Sequence, residues 1–212
     1  MATKLALYNG ALLECGERSL ASLSENREPR RLLDQVWDTN AVDYCLSLGQ
    51  WTFAKRSAEI APDTGIDPGF GFTNAYLIPD DHVRTAGVWA DERGQVPLTQ
   101  YVVENKYWFA DINPIFVSYV SNDASYGGDL TLWPPDFVRV VEVYLASRIA
   151  RKLTQSLQDE DTLLKKMRML LADASSGDAM ENPTKFPPRG SWVRSRTSGA
   201  RSDRGSRGDL IG

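Results

Sequence analysis

"WPPDFVRVVEVYLASRIARKLTQSL", residues 133–157, is the stretch whose reading decides the fold class. Pro134 and Pro135 can open a helix but not sit inside one, because proline lacks the amide hydrogen that an interior turn needs. After them Phe137, Val140, Val141, Tyr144, Leu145, Ile149 and Leu153 recur at three- and four-residue steps. That spacing predicts a helix over 134–153 with one apolar face, and twenty residues make about 30 Å of it. The next stretch, "QDEDTLLKKMRMLLADASSGDA", predicts another over 159–180, with Asp159 as cap. Glu160 and Asp161 suit its positive N-terminal dipole, and Leu163, Leu164, Met167, Leu170 and Leu171 face inward.

The same period governs the beginning of the chain. Leu5, Tyr8, Leu12 and Cys15 predict a helix from Thr3 to about Gly16, where glycine stops it. A second helix opens after "SLSEN", capped by Ser24 or Asn26 and tolerating Pro29 in its first turn. Its stripe runs through Leu33, Val36, Trp37, Asn40 or Ala41, Tyr44 and Leu48 to Gly49. A short connection implies that these two helices pack antiparallel.

From Gln50 the period changes. Residues 69–123 are rich in β-branched and aromatic side chains and are broken every 8–12 residues by Gly, Pro, Asp or Asn, as antiparallel strands require. The best-marked strands are Tyr101–Val103, Tyr107–Ala110 and Ile115–Val120, within a small sheet or sandwich of four to six strands. The class read from the sequence is therefore α+β: a helical bundle built from both ends of the chain, an inserted antiparallel β-sheet or sandwich, and an extended C-terminal arm. The boundaries are 1–50 and 129–184 for the helices, 51–128 for the β insertion and 185–212 for the arm.

Composition excludes several function classes. The 212 residues are 42% hydrophobic and 25% charged, the balance of a soluble globular protein. No run of about 18 apolar residues suggests a membrane span, and "MATKLALYNGALLECGE" lacks the features of a secretion signal, so synthesis in the cytoplasm is expected. Cys15 and Cys45 lie among apolar neighbours on helical patterns, without CxxC or clustered histidine, which reads as buried free thiols and neither a disulfide nor a metal site. Charge is polarised along the chain. Residues 185–212 hold 7 Lys+Arg against 2 Asp+Glu, leaving 17 against 26 for residues 1–184. An acidic body repels nucleic acid, while a basic arm can grip something acidic.

Catalytic chemistry finds little support. The one histidine, His82, reads as a surface or turn residue at a strand edge, and no nucleophile elbow accompanies it. Asp80-Asp81, Asp91-Glu92 and Asp159-Glu160-Asp161 could serve a glycosidase only if two of them flanked a cleft; turns and helix caps explain each as a solvated face. "GFGF" at 69–72 is no phosphate cradle, Lys165, Lys166 and Arg168 sit on the polar side of an amphipathic helix, and the "RGD" at 207–209 is expected by chance in an Arg/Gly/Asp-rich stretch. No catalytic, cofactor-binding or metal residue is assigned. Trp192, within "GSWVRSR", stands apart: tryptophan and arginine are the side chains most enriched at protein–protein hot spots.

Taken in order, five pieces resemble the tail tubular protein A family, the head-to-tail adaptor or connector proteins of short-tailed bacteriophages. They are "NGALLECGERSLASLSENREPRRLLDQVWDTNAVDYCLSLGQWTFAKR", "AYLIPDDHVR", "YVVENKYWFADINPIFVSYVSND", "WPPDFVRVVEVYLASRIARKLT" and "GSWVRSR". The resemblance spans about residues 5–196. It implies a structural, non-enzymatic virion protein of the phage neck: a dodecameric ring between the portal protein and the tail nozzle protein, with genomic DNA passing through its channel without specific binding. By position it implies that Phe186, Arg189, Trp192, Arg194 and Arg196 contact the portal. It implies no cofactor, and it does not cover "SGARSDRGSRGDLIG" at 198–212. Twenty-eight residues from Lys185 reach on the order of 90 Å when extended. A flexible arm gives up ordering entropy on docking, which anchors such as Trp192 offset. Two further readings are a carboxylate-based cell-wall hydrolase of a phage tail and a nucleic-acid-binding module acting through the Arg-rich tail.

Overall fold

The structure, a computed structural model, describes residues 2–181. Five α-helices and two small antiparallel sheets make the body a mixed α+β fold. Helix α1 (Lys4–Glu14) starts where Thr3 Oγ1 accepts the Ala6 amide at 3.2 Å. It stops at Gly16, which takes the left-handed φ of 71° while the Glu17 amide returns to Leu12 O at 2.9 Å. That C-terminal motif suits a residue without Cβ.

The second predicted helix is divided. α2 (Glu28–Asp38) and α3 (Ala41–Ser47) are separated at Thr39 and Asn40. Thr39 Oγ1 bonds back to Gln35 O and Val36 O, and Asn40 adopts φ 64°, so local side-chain chemistry and a left-handed residue end the helix without Gly or Pro. The residue before α2 is Arg27, which makes no side-chain cap, in place of Ser24 or Asn26.

α4 (Pro135–Thr154) follows the two prolines as read and ends at Gln155, whose φ is 56°. α5 (Leu157–Glu181) begins two residues earlier than read, because Ser156 Oγ accepts the Asp159 amide at 3.2 Å. Helices α1, α2, α3 and α5 all contact α4, and α1 lies chiefly along it instead of along α2. Their shared core includes Leu7, Tyr8, Leu12, Leu33, Leu46 and Trp51 with Phe137, Val141, Leu145 and Ile149.

Six strands form the sheets: β1 (Lys55–Ile60), β2 (Asn74–Leu77), β3 (His82–Trp89), β4 (Val102–Glu104), β5 (Tyr107–Ala110) and β6 (Ile115–Ser121). Their orders are β1-β6-β3 and β2-β5-β4, every pairing antiparallel. The β4–β5 hairpin turns through Asn105 and Lys106, both at positive φ as a two-residue turn of this hand requires. A second core of Tyr76, Val88, Trp108, Ala110, Ile115, Val117 and Tyr119 lies among the strands.

Candidate functional site

Phe186, Arg189, Trp192, Arg194 and Arg196, with the rest of the arm read at 185–212, lie outside the described residues. Two polar constellations stand out within the body. The first is centred on Asp81, at the turn into β3. Its side chain is 17% exposed and accepts from Arg56 Nη1 at 2.9 Å, Tyr119 OH at 3.1 Å and Ser121 Oγ at 2.5 Å. Burial alone would raise the Asp81 pKa, but the donors from Ser121, Arg56 and Tyr119 outweigh it and hold the carboxyl below its usual range. The Tyr119 hydroxyl is pushed up to about 12, by burial first and by the Asp81 charge second. The solvated-face reading of Asp80-Asp81 therefore holds for Asp80, which is exposed, and fails for Asp81.

His82 closes the turn from Pro79 and opens the edge strand β3, as read, but it is not simply solvated. It is half-buried, with its ring 5.4 Å from the rings of both Trp108 and Tyr119, and Nε2 lies 2.9 Å from Thr85 Oγ1. Burial lowers its pKa, so the imidazole is neutral at pH 7. Ser121 pairs with His82 across β3 and β6, yet its hydroxyl donates to Asp81. The trio makes a structural knot and not a proton relay, since a relay needs the histidine between the hydroxyl and the carboxylate. Nearby bonds tie the sheet to the helices: Arg84 Nη1 donates to Ser47 O at 2.9 Å, and Asn122 Nδ2 to Asp43 Oδ1 at 3.0 Å.

The second constellation surrounds a hollow of about 110 Å³ where the start of α4 meets the end of α5. Trp51, Pro134, Phe137 and Ala174 give it apolar walls, while Asp136, Asp178 and Glu181 supply carboxylates. The walls are firm because Phe137 packs against Trp51, Phe53 and Trp133 with ring centroids 4.8 to 5.0 Å apart. Asp178 accepts from the Thr52 amide at 2.8 Å and from the Thr52 hydroxyl. Sequence reading missed this site because its members come from three separate stretches; the only local signal was a tryptophan two residues after the Gly49 helix stop.

The remaining candidates are dispersed. Asp91 accepts the amides of Gln95 and Val96 in a turn, and these bonds, Val96 first, keep its pKa low. Asp159 and Glu160 stand in the first turn of α5. Lys166 pairs with Glu14 at 2.6 Å and so fastens α5 to α1. Gly69 and Gly71, both at positive φ, make "GFGF" a bend in the connection before β2. Cys15 and Cys45 are free thiols, Cys45 buried and Cys15 partly so. Among the described residues no group of His, Cys, Asp and Glu could hold a metal ion, and no helix is long and apolar enough to cross a membrane. No protein-family model matches the chain, and no curated protein matches it.

Proposed function

We propose that this chain is a structural virion protein of a short-tailed phage: a head-to-tail adaptor of the tail tubular protein A type, joining the portal to the tail nozzle in a dodecameric ring around the DNA channel. The observation that carries the reading is the order and spacing of the five resembling pieces, from Asn9 to Arg196. In this reading the body is a helical bundle made from both ends of the chain, and 185–212 is an extended arm whose Phe186, Arg189, Trp192, Arg194 and Arg196 contact the portal. Support comes from helices of both ends sharing one core, and from an acidic body that denies phosphates a foothold while DNA slides.

A pull-down with the phage's own portal tests it. Full-length chain should capture portal, and a chain lacking residues 185–212 should not, while retaining its helical circular-dichroism signal. Undiminished capture would remove the arm from the interface. Electron micrographs of the chain mixed with portal should show rings stacked on portal.

A further inference from the structure

The adaptor reading gives His82, the chain's one histidine, no role, yet its place in the fold is particular. The two sheets exchange no strand-to-strand hydrogen bonds and are joined through a shared core, to which one contributes Tyr76 and Trp108 and the other Val88, Val117 and Tyr119. The imidazole lies at this seam. Its ring is 5.4 Å from that of Trp108 in β5 and 5.4 Å from that of Tyr119 in β6, so it touches the central strand of each sheet.

Three features make the seam sensitive to a charge at that point. The charged and titratable groups around the ring are Asp81, Arg56 of β1 bound to it, and Tyr119 of β6; the Asp81 oxygens already accept from Arg56, Tyr119 and Ser121, and Arg56 supplies the balancing charge. An imidazolium would find no carboxylate free to pair with it. Trp108 is wholly buried and its indole N–H has no partner, whereas the indoles of Trp51 and Trp133 donate to Cys45 O and Gly127 O. A buried donor in that state costs free energy that contact with water would return, so packing alone keeps this indole inside. Finally, β3 is an edge strand whose register against β6 shifts between His82 and Arg84 and again between Thr85 and Gly87, which lets the segment carrying the imidazole move without dissolving the sheet. Burial is the leading influence on the ring and disfavours its charged form; the Asp81 charge and a bond to its own backbone oppose that only in part.

We propose that His82 is a proton-operated latch between the two sheets: neutral, it packs between Trp108 and Tyr119 and keeps the seam closed; protonated, it moves to solvent and loosens the β2-β5-β4 sheet from the β1-β6-β3 sheet, exposing the Trp108 indole. The unfolded chain takes up this proton near the ordinary value of 6.5 and the folded chain only below it, so the closed seam is favoured above that value and loses ground as pH falls beneath it. Asp81 is still charged in the upper part of that range, because its own pKa lies below the usual carboxylate value, and this separates the latch from general acid unfolding. At neutral pH the latch is closed and Trp108 unfolds with the rest of the body. The inference does not depend on the adaptor reading.

Nuclear magnetic resonance of the labelled full-length chain tests it from about pH 7.5 down to about pH 5. The single histidine gives one titration curve, whose midpoint should lie below that of the same chain unfolded in urea. Exchange of the Trp108 indole hydrogen with water, assigned through Trp108→Phe, is referred to the indoles of Trp51 and Trp133, which belong to the helical core. Relative to those two, Trp108 should lose protection about threefold or more between the two midpoints, and by no more than the ratio of the two acid constants, so the titration and the exchange check each other. His82→Gln should hold the ratio level. A histidine midpoint at or above the urea value, a level ratio in the parent chain, or an equal loss in His82→Gln overturns the latch. So does a loss shared by all three indoles, which is global unfolding. If His82→Gln does not fold, the parent chain's midpoint and ratio decide by themselves.

Discussion

Gly127 sits where the end of β6, helix α3 and the short turn after Gly49 come together, and replacing it by alanine tests whether that corner is as tight as it looks. A Cβ at this position would stand 2.9 Å from Leu46 Cδ1, 3.1 Å from Ala54 Cβ and inside contact distance of the Ser121 carbonyl oxygen. Leu46 can swing aside, but Ala54 Cβ is fixed to its backbone and that carbonyl is held too, because the Gly127 amide already bonds it at 3.1 Å. Separation would break this bond and pull Gly127 O from the Trp133 indole, which donates to it at 2.8 Å. Overpacking costs about 1–3 kcal/mol and a lost buried hydrogen bond about 1 more. We expect Gly127→Ala to destabilise by roughly 3 kcal/mol, a fall in Tm of about 6–12 °C for a chain of this size. Thermal unfolding and the urea midpoint measure it, with Gly177→Ala as a control of opposite sign. Gly177 lies exposed in α5, and the nearest atom to an added Cβ is Asp136 Oδ2 at 4.0 Å. There alanine's better helix propensity should raise stability by up to about 1 kcal/mol. A Gly127→Ala protein that melts with the parent would refute the packing at this corner.

Asp81→Ala should lower stability by about 2–3 kcal/mol at pH 7, because it strands the Ser121 and Tyr119 hydroxyls. The folded carboxyl titrates below its unfolded value, so this contribution is present above the unfolded pKa and fades as pH falls, and urea titrations of both proteins should converge in acid. Glu142→Gln should behave in the opposite sense: burial first, then the Glu14 charge, raises the Glu142 pKa, so the wild-type chain gains stability relative to the variant as pH falls through that raised value. Equal pH slopes for the two proteins would show that Glu142 is not strained by burial between α1 and α4. Burial pushes the Cys15 thiol up to about 11 and that of Cys45 to about 12, so iodoacetamide at neutral pH should leave both largely unmodified until denaturant is added, with Cys15 reacting first.

How far the fold could be read in advance depends on where each signal lies. The α4 helix was legible because two prolines mark its start and its apolar residues keep one period for twenty positions. The β4–β5 hairpin was legible through its short polar turn. The break at Thr39 and Asn40 was hidden, since it depends on a threonine hydroxyl competing for helix carbonyls and on an asparagine accepting left-handed φ. Strand β1, "KRSAEI", was hidden too, because its stability comes from pairing with β6 about sixty residues away and not from its own composition. Asp81 looked like half of a solvated pair, for the same reason: Arg56, Tyr119 and Ser121, the donors that bury it, are distant in sequence.

The strand β6 also bears on how the body unfolds. Ile115, Val117 and Tyr119 point into the core among the strands, whereas Val120 belongs to the helical core. A period of two sends alternate side chains to opposite faces, so one strand serves as a wall common to both cores, and its near-complete burial follows. Asp81 and the Arg84–Ser47 and Asn122–Asp43 bonds brace the same junction. An insertion that shared no core with the helices could melt by itself; this one would have to strip Val120 from the helical core as it left. The body should therefore unfold in a single cooperative transition. Far-ultraviolet circular dichroism, which follows the helices, and the fluorescence of a chain retaining only Trp108, replaced elsewhere by phenylalanine, should give coincident urea curves. A Trp108 transition that clearly precedes loss of helix would mean that the shared wall does not couple the two cores.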